Sequence, residues 1–105
     1  MATSREYADF ILEQFKELEV SARKMMGEYV LYYRGKVFGG LYDDRLMVKI
    51  TKASRSLLPQ APEEPPYQEA KPMLSVEPVD DRAFLQQLVR EMFEELPYPK
   101  AKKRK

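Results

Sequence analysis

Four pairs of adjacent carboxylates, Asp43–Asp44, Glu63–Glu64, Asp80–Asp81 and Glu94–Glu95, and five serines are the groups in this 105-residue sequence suited to acid–base or nucleophilic work. Adjacency in sequence does not make two carboxylates converge. Each pair also has an ordinary use: a turn, a loop, a helix cap and a solvated helix end. A Mg²⁺ or Ca²⁺ site needs several oxygens around one point, and no such spacing is present. The chain has no His, which removes the commonest metal ligand and the usual general base near neutral pH. A serine nucleophile would therefore need activation by Lys. It has no Cys either, so disulfides, zinc knuckles, thiol nucleophiles and iron–sulfur ligation drop out together. Gly39–Gly40 lies inside a strand pattern without a following Lys–Ser/Thr, so it is no phosphate loop. Two glycines there mark a bulge or a close backbone approach. The residues point to a protein with no catalytic, cofactor or metal site.

Charge is unevenly placed. The formal balance is +1, with 18 basic and 17 acidic side chains. Five of the cations, Lys100, Lys102, Lys103, Arg104 and Lys105, fall in the last six residues. Removing them leaves 13 basic groups against 17 acidic ones, a balance of −4 over residues 1–99. Like charges in a block repel and stay solvated, so residues 100–105 read as a disordered basic tail. The tail is either a solubilising terminus or a contact for nucleic acid or another anionic surface. Arg5, Glu6 and Asp9 precede any apolar run, unlike a signal peptide. The longest uncharged apolar stretch, Tyr29–Tyr33, is far too short for a bilayer. A soluble cytoplasmic protein without a membrane partner is expected.

The elements that must position these groups follow from periodicity. Tyr7, Phe10, Ile11, Phe15 and Leu18 recur at three- and four-residue intervals and predict a helix over Ser4–Glu19, with Thr3 and Glu6 as a capping box. Val20–Met26, Tyr29–Tyr33, Lys36–Leu41 and Leu46–Thr51 read as strands. Arg34–Gly35 and Asp43–Asp44 serve as turns. In the last strand Leu46, Val48 and Ile50 alternate with Met47, Lys49 and Thr51, which predicts an antiparallel meander with one buried face. Tyr29, Tyr32, Tyr33 and Tyr42 would stabilise the sheet by cross-strand packing. Base stacking is the alternative, but few cations are interleaved with them.

Six of the eight prolines fall between Pro59 and Pro78, which excludes a long helix or a central strand there. A loop over 59–72 crosses the surface. Ser54–Leu58 reads as a helical turn before it and Met73–Glu77 as a short edge strand after it. A closing helix spans Asp81–Leu96, capped by Asp80 or Asp81 and stopped by Pro97. Its apolar stripe, including Leu85, Leu88, Met92, Phe93 and Leu96, is wide enough to serve as a homodimer interface if any of it stays exposed.

The central block carries a family resemblance. Met25–Met26–Gly27, the Tyr-rich run Tyr29–Val30–Leu31–Tyr32–Tyr33, the Arg34–Gly35 turn, Val37–Phe38–Gly39–Gly40–Leu41, Leu46–Met47–Val48–Lys49 and Lys71–Pro72–Met73 follow one another in the order and spacing of the TfoX/Sxy competence-regulator N-terminal domain. The likeness covers about residues 7–96. It implies a standalone N-terminal module, without the C-terminal helical domain, in a two-layer fold like that of secretion chaperones. It also implies a link to transcriptional control of DNA uptake and no catalytic residues. The family usually has Phe where Met26 stands, Gly where Glu28 and Val30 stand, and often Tyr where Met47 stands. Those departures count against an intact shared pocket.

The expectation is therefore an α+β two-layer sandwich, one domain over 1–99, with an antiparallel meander sheet and both terminal helices on one face. Its function is that of a non-enzymatic regulatory domain acting through protein contacts with an unnamed partner. The alternative is weak nucleic-acid binding through the tail.

Overall fold

A computed structural model of the chain describes residues 3–77 and 79–97. Helix α1 spans Arg5–Gln14. Its cap is Ser4, whose hydroxyl accepts from the Tyr7 amide at 3.1 Å, and not the expected Thr3–Glu6 pair. The helix also stops five residues short of the expected end. The Phe15 and Lys16 amides donate to Leu12 and Glu13, three residues back, tightening the last turn. Leu18 then donates to the Phe15 carbonyl, and the chain enters the sheet at Val20.

Strands β1 (Val20–Met25), β2 (Glu28–Tyr33), β3 (Lys36–Leu41) and β4 (Leu46–Val48) form the expected meander. Two short strands extend it: β6 (Met73–Ser75) pairs with β4, and β5 (Glu63–Glu64) pairs with β6. The sheet is antiparallel with order β1-β2-β3-β4-β6-β5. Both two-residue connections, Met26–Gly27 and Arg34–Gly35, have positive φ at both positions (52° and 86°, 52° and 88°). That is the twist a tight hairpin needs. Asp43 and Asp44 also have positive φ, at 56° and 57°, which short acidic side chains tolerate by bonding locally.

Phe38 is the extra residue of a bulge, because Leu31 pairs with Gly39 while Tyr32 pairs with Val37. The bulge keeps Phe38 buried against Phe15, ring centroids 5.6 Å apart. Beside it the backbones of β3 and β4 come close: a methyl group at Gly39 would lie 2.1 Å from the Met47 carbonyl oxygen.

The core lies between the sheet and helices α1 and α3 (Arg82–Met92), with Ile11, Phe15, Leu31, Leu41, Leu74, Leu85 and Leu88 in one cluster. The fold is the α+β sandwich expected. Three details differ. Met47 is fully buried outside that cluster, so β4 is covered on both faces, and it ends at Val48 with Ile50 40% exposed. The strand at Met73 is internal, because β5 from the proline-rich segment lies outside it. The helical turn near Ser54 is a full helix, α2 (Lys52–Leu57).

Asp81 caps α3 by accepting from the Phe84 amide at 3.1 Å. A 3₁₀ turn, Phe93–Glu95, follows. Lys36 is only 5% exposed, and its ammonium donates to the Phe93 carbonyl at 3.1 Å and lies 4.0 Å from the Phe93 ring centroid. A cation there complements the negative end of α3. Gln14 and Gln86 bind the helices together: Gln14 Nε2 donates to the Val79 carbonyl, and Gln86 Nε2 to the Gln14 carbonyl. No helix among the described residues is long and apolar enough to cross a membrane.

Candidate functional site

Each carboxylate pair has at least one member bonded into the fold. Glu28 Oε1 accepts from the Thr3 hydroxyl at 2.6 Å and from the Asp43 amide at 3.2 Å. Asp44 Oδ1 accepts from the Ser4 amide at 2.9 Å, and the Asp44 amide donates to the Thr3 hydroxyl. These bonds tie the start of α1 to the Met26–Gly27 and Asp43–Asp44 turns. Glu63 and Glu64 pair with Arg55 and Arg45 at 3.0 and 2.8 Å. Glu95 accepts from the Lys52 and Ala53 amides. Among the described residues, no three acidic side chains gather to hold a metal.

The face of the sheet away from the helices has more to offer. Tyr42 lies over Gly40, where a methyl group would come within 2.7 Å of the phenol ring and 2.6 Å of the Tyr29 carbonyl. The proline-rich segment brings Tyr67 onto Tyr42, ring centroids 5.9 Å apart and planes at 53°. Burial pushes the Tyr42 hydroxyl pKa above its ordinary value, and the neighbouring Tyr67 and Glu28 add to this.

The Tyr42–Tyr67 pair contributes to two open clefts. One, of about 460 Å³, is lined by Met25, Met26, Glu28 and Val30 besides the tyrosines. The other, of about 470 Å³, includes Val37, Lys49, Ile50 and Lys71. Five large apolar side chains are exposed among the described residues, and four of them, Met25, Met26, Ile50 and Tyr67, line these clefts. Met26, at the hairpin tip with φ 52°, is 99% exposed.

The closing-helix stripe requires a correction. Leu85, Leu88, Met92 and Leu96 are at most 3% exposed, and all belong to the core under the sheet. Phe93 is half-buried, edge-on to Tyr33 at 5.3 Å. These four side chains, Leu85, Leu88, Met92 and Leu96, are covered by the chain's own fold and are not exposed to a second copy. The tail cations Lys100, Lys102, Lys103, Arg104 and Lys105 lie outside the described residues. Sequence reasoning missed the clefts, because Tyr67 reaches Tyr42 only through the tertiary fold. An apolar Met25–Met26 pair at a Gly turn was the one local signal.

A sequence model of the TfoX N-terminal domain matches residues 12–96. The chain is 36% identical over 107 aligned positions to an uncharacterised 12.7 kDa protein encoded in the trpE 5′ region of Spirochaeta aurantia, covering all of this chain and 93% of that protein. No solved structure matches the chain.

Proposed function

Since the chain belongs to the TfoX N-terminal domain family, we propose that it is a non-enzymatic regulatory domain, in the setting of competence control, that binds another protein through the Met25–Met26–Val30–Tyr67 cleft. The observation that carries this reading is the gathering of exposed apolar side chains on one sheet face. Contiguous exposed apolar surface marks contact sites. Methionines suit such a surface, because an unbranched, polarisable side chain adapts to its partner.

Capture from an extract of the native host tests it. The Met25→Ser/Met26→Ser double variant should retain the wild-type melting temperature, since both side chains are exposed, and should lose the captured protein by about tenfold or more. Equal capture by both proteins would remove the reading.

The second reading is nucleic-acid contact through Lys100, Lys102, Lys103, Arg104 and Lys105. The density of five cations in six residues favours it.

A further inference from the structure

The cleft on the other side of Tyr42–Tyr67 differs in charge. Its charged lining groups are Lys49 and Lys71, and neither is in an ion pair among the described residues. Glu69, two residues before Lys71, is exposed and does not line the cleft. Two lysines outside any ion pair thus line one space in a chain whose first 99 residues carry a balance of −4. Like charges brought together without a counter-charge are unfavourable, and an anion between them relieves this.

The walls specify more than charge. Tyr42 and Tyr67 supply aromatic surface, and Ile50 and Val37 supply aliphatic surface. The volume, about 470 Å³, falls within the range of small-molecule sites. The frame is also preset. The Lys49 amide donates to the Phe38 carbonyl at 2.9 Å, and the Lys49 carbonyl accepts from the Ser54 hydroxyl at 2.8 Å. The segment bearing Tyr67 and Lys71 is closed by an Ala70 amide to Tyr67 carbonyl bond and bracketed by Pro66 and Pro72, which fix φ. A site whose backbone is already ordered loses less entropy on binding.

We propose that this cleft binds a small aromatic anion, its ring against Tyr42 and Tyr67 and its carboxylate or phosphate between Lys49 and Lys71. The site goes beyond the protein-binding reading and does not rest on it, because Met25 and Met26 line the other cleft. Met25→Ser/Met26→Ser should leave anion binding unchanged.

Titration of the full chain with 2-naphthoate, adenosine monophosphate and the neutral 2-naphthamide, followed by amide and tyrosine-ring chemical shifts, tests the proposal. At least one anion should perturb Lys49, Ile50, Tyr67 and Lys71, with a dissociation constant of roughly 0.1–1 mM. Naphthoate binding identifies a carboxylate ligand, and nucleotide binding a phosphate one. Each anion that binds should weaken as salt is raised, and naphthamide should bind at least about tenfold more weakly than naphthoate. In Lys49→Met/Lys71→Met the anion preference should vanish. Naphthamide binding as tightly as naphthoate, perturbation confined to other surfaces, or no response to either anion would overturn it. The comparison of charged and neutral probes on the wild-type chain decides the matter even if the double variant fails to fold.

Discussion

Tyr42 is placed so that its neutral form suits the folded protein. Burial disfavours the phenolate most, and the nearby Tyr67 and Glu28 disfavour it further, so its pKa is raised. The folded state therefore holds this proton more tightly than the unfolded chain, whose tyrosines titrate at their ordinary value of 10.0. Below that pH both states are protonated and the contribution is fully present. As pH rises past it the unfolded chain ionises first, and the stabilisation is lost as pH climbs through the folded value. Denaturation midpoints should consequently fall above about pH 10, and less steeply in Tyr42→Phe than in the wild type. Parallel profiles would assign the alkaline loss to other groups. Tyr7 is the first of these, since burial raises it too, against a lowering backbone bond at Leu46.

Helix α2 cannot stand on its own propensity: it has six residues, and a helix that short is unstable in water without outside help. Its first turn receives that help from two places. The Thr51 hydroxyl accepts from the Ser54 amide, and the Ser54 hydroxyl from the Thr51 amide, closing a reciprocal cap. The two oxygens of Glu95 accept from the next two amides, Lys52 at 2.8 Å and Ala53 at 2.9 Å. Glu95→Ala should lower stability by about 1 kcal/mol and speed hydrogen exchange at residues 52 and 53. Glu94→Ala, made as a control, should change neither. The same pair measures what the sequence could tell. A carboxylate on a solvated helix end describes Glu94, but the role of Glu95 depends on a segment 42 residues away. Local signals such as the Arg34–Gly35 turn, the Asp43–Asp44 turn and the Asp81 cap were legible because one or two residues determine the backbone there. The pairing of Glu63–Glu64 with Met73–Leu74 and the Tyr42–Tyr67 contact were not, because each is created when the proline-rich segment folds back onto the sheet. The wide stripe of the closing helix was legible as apolar, but the condition for a dimer interface, that part of it stay exposed, is not met by Leu85, Leu88, Met92 and Leu96, since periodicity marks a buried face without saying what buries it.

At the scale of the whole molecule, charge separates the body of the chain from its last six residues. Arg34, Arg45, Arg55, Arg82 and Lys16 are spent in ion pairs, and residues 1–99 are acidic in balance. That balance disfavours a polyanion such as duplex DNA on the body, whereas the proposed small-anion site calls on only two lysines. Under the nucleic-acid reading, contact with the backbone is assigned to Lys100 and Lys102–Lys105. Each phosphate neutralised releases counterions and contributes roughly 0.9 to the slope of log affinity against log salt, so five cations bound that slope at about 4.5. Under this reading the full chain should bind duplex DNA weakly, irrespective of sequence, with a salt slope below that limit. A chain stopped at Pro99 should lose the binding while keeping its melting temperature, since the family match ends at residue 96, before the tail begins. Equal, weak binding by both chains would place the contact on the body and remove the tail from the function. Loss of binding by the shorter chain, with capture of the protein partner through Met25 and Met26 retained, would give one small chain two separable contacts, one apolar on the fold and one electrostatic beyond it.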